Sequence, residues 1–418
     1  MPRGSALAAI LAVAAAASTA EASPLDLFGF GGRSPGLAGA GGATTDDYDA
    51  VFLNPAGLAE ARRKRATVGY LYGDFALTLD RRPTGTDPAS GLILGGVVPV
   101  PLGGRLRDRI GLGLGLYVPS KTLNRVRHPF PGVPVYALLE SRSHVIAIQV
   151  AVGARVAPAW SVGAGVITLA ELDGHIDVTT DAAGRFTTFS EQRLVTHFAP
   201  VVGARWRRAR VAAALTVRAP ARSDYDIEVN ADLGDSIPVA LPPVRIAGTA
   251  QYDPLTVAAE ATYRAAPDLA VTGQLAYQRW SAYPLPTQNP VRATPPQELP
   301  GFHDTAVPRL AAEWTRDAGP LLVAARTGYA FLWSPAPEMR GRQSLLDNDR
   351  HLFALGAGVA TTGAAAITVD VWLQCHLLAP RRHVKDAGRF GPDDPPPFDV
   401  IDTGGRILVG GLTVGVDL

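Results

Sequence analysis

The chain has 418 residues, of which 47% are hydrophobic and only 18% charged, and its 39 Lys and Arg nearly balance 38 Asp and Glu. The formal charge of +1 argues against a basic nucleic-acid-binding protein and a polybasic membrane-surface protein, because both depend on a strong positive field. The single cysteine, Cys375, excludes a disulfide framework and a multi-thiolate metal site.

The first 22 residues have the three-part pattern of a secretory signal peptide. Arg3 supplies the positive start, an apolar run follows over 7–17, and residues 20–22 (Ala-Glu-Ala) match a cleavage site. The run is shorter than the about 20 residues that a membrane-spanning helix needs. We therefore predict that the mature protein is exported and begins its fold after residue 22; a buried N-terminal helix is the alternative.

From residue 66 onward the chain repeatedly alternates apolar with small or polar residues, the period of two that is typical of β-strands. Segments 110–116, 255–263 and 367–374 each place their larger apolar side chains on one face. Such strands occur both in soluble sandwiches and in transmembrane barrels. The periodicity alone leaves both classes open.

The lengths of the connections favour the barrel. Short turns alternate with long connections, and bacterial outer-membrane barrels carry short turns at one end and long loops at the other. The long connections span 119–141, 172–190, 221–241, 282–305, 335–349 and 379–402. We predict an all-β fold, a transmembrane antiparallel β-barrel of about 14 strands over residues 66–418.

The alternation has one irregularity, between residues 243 and 280. Reading 243–264 as one strand with a β-bulge at Asp253-Pro254 gives the even strand number expected of a bacterial barrel. The larger apolar residues also change from even to odd positions there. The alternative is two strands joined by a hairpin turn at Asp253-Pro254.

Residues 23–65 have a different composition. They are rich in Gly and Ala and predict loops and short helices, with Asn54-Pro55-Ala56 starting a helical turn. We expect a small N-terminal domain inside or beneath the barrel. The acidic residues Asp46, Asp47 and Asp49 lack the loop of a calcium site, so we expect them to pair with basic residues of the wall or to cap a helix.

Two stretches carry a resemblance to a known family. SPGLAGAGGA at 34–43 and DDYDAVFLNPAGL at 46–58 resemble the N-terminal plug of the FadL/TodX outer-membrane transporters of long-chain fatty acids and other hydrophobic compounds. Weaker matches follow in the same order at 98–99, 110–119, 160–165, 241–242, 277–281 and 346–350. One departure is the final residue, Leu418, where such barrels usually end in an aromatic residue.

The resemblance implies a multi-pass protein of the Gram-negative outer membrane, with a barrel of 14 strands and a hatch (plug) of residues 23–65 in its lumen. It also implies passive uptake of hydrophobic molecules, long-chain fatty acids by default. The substrate enters a groove among the outer loops, passes to a lumen pocket and leaves sideways near the third strand when the hatch moves. The third strand is 109–118 by position, and the residues that leave room for a lateral opening are Gly111, Gly113 and Gly115.

The candidate site residues fall into two groups. The hatch or gate comprises Asn54, Pro55, Ala56 and Gly57, which could instead be a turn that only shapes the plug. The ligand-binding candidates are Arg155, Arg326, Tyr136, Leu138 and Leu139.

These ligand-binding candidates each have an alternative role. Arg155 and Arg326 lie on the predicted inner face, where a guanidinium can bind a fatty-acid carboxylate. Together with Glu260, Glu313 and Asp370 they could instead satisfy one another and hold the plug. The apolar outer-loop stretch 133–139 could be the first landing site, or it could pack the loop onto the barrel.

Enzyme motifs are absent from the sequence. Its eight His have no zinc-ligand spacing, and it contains neither a G-x-S-x-G elbow nor a phosphate-binding Lys after the Gly-rich stretch 29–42. We therefore expect no catalytic residue, no metal and no cofactor. The expected partners are hydrophobic small molecules (fatty acids or hydrocarbons), outer-membrane lipids with lipopolysaccharide and the barrel assembly machinery, with no nucleic acid. The alternative function is a non-transporting barrel that acts as a receptor or structural protein; an open porin is disfavoured by the predicted plug.

Overall fold

Fourteen antiparallel strands form a closed barrel in the computed structural model, which describes residues 24–121, 134–140, 146–180, 186–232, 243–288, 299–339, 343–363, 365–384 and 400–418. The predicted signal peptide, residues 1–22, lies outside the described residues. Each strand pairs with the next along the barrel, and the last strand closes the ring on the first from Arg65↔Asp417 to Leu79↔Thr403. The predicted all-β barrel of fourteen strands is confirmed.

The barrel strands are numbered in chain order. They are β1 Arg65–Leu79, β2 Ala89–Pro99, β3 Ile110–Pro119, β4 Ala147–Ala157, β5 Trp160–Thr180, β6 Phe186–Arg208, β7 Val211–Arg218, β8 Thr256–Arg264, β9 Leu269–Gln278, β10 Thr305–Ala318, β11 Leu321–Leu332, β12 Arg350–Thr361, β13 Ile367–Val384 and β14 Val400–Asp417. Four further strand segments lie outside the ring: Arg82–Pro83, Ala221–Asp232, Val244–Asp253 and Thr287–Gln288.

The alternating residue pattern gives the wall two different faces. In β3, Leu112 and Leu114 are about half exposed on the outside, whereas Gly111 and Gly113 on the other face are buried. The same alternation recurs around the ring, so a band of exposed apolar side chains covers the outer surface. Such a band is stable in contact with lipid hydrocarbon rather than water.

The described helices are all short. They are Pro24–Phe28, Pro35–Leu37, Ala50–Leu53, Pro55–Glu60, Gly104–Leu106, Ala137–Glu140 and Trp280–Ala282. Within the described residues, no helix combines the length and the apolar character that crossing a membrane requires.

The two ends of the barrel differ as the sequence predicts. Tight turns at 158–159, 209–210, 265–268 and 319–320 lie at the end where β1 begins and β14 ends. The opposite end carries the long connections. The predicted loops are wrong in part, because β5 and β6 extend into 172–190, because β13 continues to Val384 within 379–402, and because Ala221–Asp232 is a strand. This strand pairs in parallel with residues 172–179 of β5, so the hairpins continue as sheet beyond the barrel.

The irregular region 243–264 follows one course along the wall, with two corrections to the sequence interpretation. Residues 251–253 and Thr256–Arg264 keep one register against 211–223, so Asp253-Pro254 interrupts a ladder and is not a hairpin turn. The interruption arises because Pro254 has no N–H to donate. The bulge lies between Thr249 and Gln251, not at Asp253-Pro254.

Residues 24–64, here called the N-terminal segment, lie inside the barrel. Their apolar side chains are buried with inward-facing residues of the wall in one cluster that forms the main core. Its members from the segment include Leu25, Leu27, Phe28, Phe30, Val51, Phe52 and Leu58. Its members from the wall include Leu71, Ile93, Tyr117, Trp372 and Val409.

Candidate functional site

The N-terminal segment meets the wall closely at glycine positions. A Cβ atom at Gly163 of β5 would lie 2.3 Å from the carbonyl carbon of Pro55, and one at Gly203 of β6 would lie 2.1 Å from Oδ1 of Asn54. Both distances are far inside van der Waals contact. Only glycine therefore admits the segment at these points.

The four candidate gate residues lie at this contact. The Oδ1 atom of Asn54 accepts a hydrogen bond from the main-chain N of Ala56 at 3.0 Å, which starts the helix Pro55–Glu60. Its Nδ2 atom donates to the carbonyl oxygens of Ala204 at 3.2 Å and Leu215 at 3.4 Å. All four residues are buried: Asn54, Pro55, Ala56 and Gly57. This turn is thus bound to the wall at β6 and β7.

The glycines of β3 also face the N-terminal segment. A Cβ atom at Gly111 would lie 2.0 Å from the carbonyl oxygen of Leu58, and one at Gly113 would lie 2.6 Å from Cγ1 of Val51. Gly115 likewise meets a ring of the segment. The space beside these glycines is occupied by the segment, and β3 is paired along its length with β2 and along most of it with β4.

A chain of four charged residues joins the N-terminal segment to one side of the wall, at β10, β11 and β13. The Nε atoms of Arg33 and Arg326 donate to the same Oε1 of Glu313, at 2.9 and 2.8 Å, and Arg326 also donates to Asp370. Burial alone lowers the pKa of Arg33, but the Glu313 carboxylate outweighs burial and raises it. Arg326, a predicted ligand-binding residue, is therefore engaged by two carboxylates of the chain itself.

Glu260 binds the backbone of the N-terminal segment. Its carboxylate accepts hydrogen bonds from the main-chain N of Gly41 at 2.9 Å and of Ala43 at 2.7 Å. The side chain of Gln274 donates to Glu260 at 2.7 Å and accepts from Arg309 at 2.8 Å. These contacts match the alternative in which lumen charges hold the plug.

The structure places Arg155 far from the outer loops. It lies beside the tight turn that follows β4, and its guanidinium donates to the carbonyl oxygen of Asp108 at 2.6 Å. Arg155 therefore lies at the tight-turn end of the barrel.

Two of the three acidic residues at 46–49 have partners within the protein. Asp47 pairs with Arg65 of β1 at 2.6 Å, and Asp49 accepts a hydrogen bond from the hydroxyl of Thr45. Burial raises the pKa of Asp49 to about 7, although the bond from Thr45 lowers it. Asp46 is exposed.

Tyr136 connects the outer loop 134–140 to the barrel rim. It is buried, and its hydroxyl donates to the carbonyl oxygen of Thr78 at 3.0 Å and accepts from the N–H of Gly404 at 3.0 Å. Burial raises the pKa of Tyr136 to about 12. Val133, also in the predicted landing stretch, lies outside the described residues.

An aromatic cluster at the long-loop end was not predicted from the sequence as a site. The rings of Tyr283 and Phe302 are 4.8 Å apart, and those of Trp280 and Phe302 are 6.5 Å apart. We call this the outer aromatic cluster; its buried members are Val135, Leu138, Tyr252, Trp280, Tyr283, Phe302, Ala336 and Leu345. Its aromatic residues come from two connections, 219–255 and 279–304, and gave no local signal of their meeting.

Adjacent residues of the helix Ala137–Glu140 contact different cores. Leu138 belongs to the outer aromatic cluster, and Leu139 belongs to the main core that contains Phe28. Both side chains are essentially fully buried. One helical turn thus connects the apolar residues of the outer loops with those of the lumen.

Two cavities lie on opposite sides of the N-terminal segment. A cavity of about 610 Å³ opens towards the tight turns and is rich in charge. We call it the charged vestibule; its charged lining residues are Arg33, Asp46, Asp47, Asp49, Arg65, Arg207, Arg210, Arg264, Asp268, Glu313, Arg326 and Asp370. A cavity of only about 40 Å³ lies beside the helix Pro24–Phe28, lined by Phe52, Arg218 and Arg309 among others.

Several solved structures have a similar fold. A Pseudomonas aeruginosa FadL homologue has a TM-score of 0.57 at 15% identity, with 96% of this chain and 98% of that chain covered. The P. putida toluene transporter TodX has a TM-score of 0.55 at 11% identity, with 94% and 99% covered. The CymD monoaromatic hydrocarbon channel has a TM-score of 0.53 at 14% identity, with 94% and 98% covered. At such identities the likeness shows the fold alone.

A comparison of sequences shows the family. No curated protein matches the chain. The model of the family described as outer membrane protein transport protein (OMPP1/FadL/TodX) matches residues 11–379, which is most of the chain. The chain therefore belongs to the OMPP1/FadL/TodX family of bacterial outer-membrane β-barrel transporters of hydrophobic compounds.

Proposed function

We propose that this protein takes up hydrophobic molecules passively across the outer membrane, with long-chain fatty acids as the default substrate. The observation that carries the proposal is the apolar connection through Leu138 and Leu139, from the outer aromatic cluster to the lumen core. An apolar molecule that follows this course leaves water for contact with buried side chains. The transfer is favourable by about 25 cal/mol for each Å² of apolar surface removed from water. The outer aromatic cluster is then the landing site.

The N-terminal segment serves as the hatch. The turn at 54–57 is bound to β6 and β7, and the residues just before and after it cover the glycines of β3. Movement of 51–58 together with Phe30 would uncover a stretch of wall that carries no side chains at Gly111, Gly113 and Gly115. A hydrophobic substrate leaves the lumen there, into the membrane.

The charged vestibule favours this lateral exit over a straight path to the periplasm. An apolar substrate gains nothing from a space lined by Arg65, Glu313 and Asp370, because those groups remain solvated or paired. The lipid beside β3 instead preserves the burial of apolar surface. In this proposal the apolar outer band contacts lipid and lipopolysaccharide, the barrel assembly machinery inserts the protein, and no catalytic step or cofactor takes part.

A reversible staple between the hatch and β3 tests the proposal. Because Cγ1 of Val51 lies 2.6 Å from a Cβ at Gly113, the Cβ atoms of Val51→Cys and Gly113→Cys fall within disulfide reach. Cys375→Ser provides the background, since Cys375 is the only native cysteine. Uptake of a radiolabelled long-chain fatty acid by cells lacking other uptake routes is measured before and after reduction.

The staple should abolish uptake in the oxidised protein, and reduction should restore it. The Val51→Cys single variant is the matched control and should transport in both states. Equal uptake by the oxidised and reduced staple would show that the hatch does not gate transport. A folded, surface-exposed parent protein that supports no uptake would instead favour the receptor or structural alternative.

A further inference from the structure

The helix Pro24–Phe28 combines an apolar body with one carboxylate. Leu25, Leu27 and Phe28 are at most 4% exposed in the lumen core. Between them, Asp26 directs its Oδ1 atom to Nη2 of Arg218 at 3.1 Å, and both side chains of this ion pair are largely buried. The chemistry of this helix is that of an amphiphile whose anionic headgroup is bound by a guanidinium.

The groups around Arg218 form a small binding site. Its guanidinium carbon lies 4.4 Å from the ring centroid of Phe52, which supports a buried cation through the ring face. Gln278 adds an amide at 3.4 Å from the second carboxylate oxygen of Asp26. The cavity of about 40 Å³ adjoins this site and is also lined by Arg309, whose bonds go to the neutral Ala38 carbonyl and to Gln274.

We propose that Arg218 is the headgroup subsite for a carboxylate amphiphile, and that Asp26 occupies it as an internal ligand until a substrate replaces it. The inference rests on the proposed function, which supplies the route into the lumen. It goes further by assigning the subsite, the class of headgroup and the competitor. Anionic amphiphiles are therefore preferred over neutral hydrophobic molecules of the same length.

Exchange of one carboxylate for another explains this preference. Withdrawing Asp26 alone leaves Arg218 as an uncompensated buried charge, which is strongly unfavourable. An incoming carboxylate removes that penalty and can bind a guanidinium through two oxygens. Alcohols and alkanes carry no negative charge, so they cannot compensate the buried charge of Arg218. Gly29 and Gly31, with φ of 83° and 102°, directly follow the helix and give it the backbone freedom to move away.

The other lumen arginines are worse placed for this role. Arg326 is held between Glu313 and Asp370, both in strands of the wall that do not move with the hatch. Arg155 lies at the periplasmic end. In contrast, Arg218 is paired with Asp26 of the hatch itself. One movement of the helix Pro24–Phe28 can therefore vacate both the headgroup subsite and the apolar space beside it.

Matched ligands test the subsite. The affinities of laurate and 1-dodecanol for the full-length protein in lipid nanodiscs are compared, because the two differ only in the headgroup. Asp26→Asn should raise the laurate-to-dodecanol affinity ratio about tenfold, since it removes the competing charge. Arg218→Gln should lower that ratio about tenfold. Asp226→Asn, which breaks the pair with Arg245 between the strand segments Ala221–Asp232 and Val244–Asp253 outside the ring, is the control and should leave the ratio unchanged.

The outcomes separate the subsite from transport. An unchanged ratio in Asp26→Asn, or equal shifts for laurate and dodecanol, would overturn the subsite and leave the uptake proposal standing. If Arg218→Gln fails to fold, as judged by its mobility on gels before and after heating, the Asp26→Asn ratio decides alone. Failure of both ligands to bind the parent protein, together with absent uptake, would remove the proposed function and this inference with it.

Discussion

The side-chain amide of Asn54 donates a hydrogen bond to the main-chain oxygen of Ala204, 3.2 Å away in the barrel wall. The bond forms because Gly203, the preceding residue of β6, has no side chain to keep Asn54 away. The other end of the same amide caps the helix Pro55–Glu60 through Ala56. One side chain thus determines both the turn and its attachment to the wall.

Asn54→Ala should loosen this attachment. The change removes a helix cap, which alone is worth about 0.5–2 kcal/mol, together with two hydrogen bonds to the wall. Amide hydrogen exchange over 50–60 should become faster than in the parent protein, at an unchanged strand content. Asn230→Ala is the control; it removes a side-chain hydrogen bond to Asp177, where the strand Ala221–Asp232 pairs with β5 beyond the barrel. Unaltered protection of 50–60 in Asn54→Ala would show that the turn is held by other contacts.

Gly163→Ala should push the hatch away from the wall. Its Cβ would lie 2.3 Å from backbone of Pro55, which cannot yield without moving the turn. We expect faster hydrogen exchange over 50–60 and a larger single-channel conductance. Gly273→Ala is the matched control, because nothing lies within 4 Å of the added methyl group on β9. Equal conductance of the two variants would contradict a hatch that seals the lumen at this contact.

The barrel is the part of the structure that the sequence predicts well. Lipid on one side and a packed lumen on the other impose a period of two on every strand, so Leu112 and Gly113 reveal their faces without knowledge of their neighbours. The placement of Glu260, Glu313 and Arg326 on the inner face follows from the same alternation. The bulge is less predictable, because the register shift at Thr249 depends on the pairing strand.

The contacts within the lumen are the part that sequence patterns miss. Arg218 and Asp26 are 192 residues apart, and no periodicity joins a strand residue to an acid in a five-residue helix. The sequence predicts that Glu260 faces inward. Its partners are the backbone N–H groups of Gly41 and Ala43, and almost every residue has such a group, so the sequence does not indicate which ones it binds. The outer aromatic cluster likewise forms only after the loops have folded over the barrel.

Glu313→Gln should destabilise the protein strongly. It removes the carboxylate shared by Arg33 and Arg326 and leaves buried guanidinium groups without full compensation, at a cost of about 3–5 kcal/mol. Urea titration of the protein folded into lipid vesicles measures the loss. Asp226→Asn breaks the more exposed pair with Arg245 and should cost at most about 1 kcal/mol. Comparable losses in the two variants would show that the lumen network contributes little.

Stability should fall as the pH rises towards neutrality because of Asp49. Burial raises its pKa in the folded protein to about 7 from the 3.8 of an unperturbed Asp, so the folded state retains a proton that the unfolded chain has already released. Stability is therefore lost progressively between about pH 4 and 7, where the unfolded chain binds fewer protons. The charged groups around the carboxylate are Arg33, Asp46 and Asp47.

Asp49→Asn isolates the contribution of this carboxyl group to the pH dependence of stability. Between pH 5 and pH 8.5 the parent protein should lose more stability in urea titrations than Asp49→Asn, because the amide does not titrate. Asp46→Asn, at an exposed neighbouring position, should retain most of the pH dependence of the parent, because Asp46 makes only the smallest contribution to the raised pKa of Asp49. If the parent and Asp49→Asn show the same dependence, the folded protein does not hold a proton on Asp49.

Trp280→Ala should weaken capture of substrate at the outer loops. The indole lies 6.5 Å from the ring of Phe302 and is buried in the outer aromatic cluster, which the proposed route enters first. Losing this ring removes apolar contact area at the landing site and leaves the hatch untouched. The substrate concentration at half-maximal uptake should rise severalfold, whereas the maximal rate of uptake should stay close to that of the parent. Phe353→Ala, which removes an exposed ring from the outer surface of β12, controls for general effects on the barrel. A fall in the maximal rate at an unchanged half-saturating concentration would instead place Trp280 in the gating step, and an unchanged uptake curve would remove the outer aromatic cluster from the route.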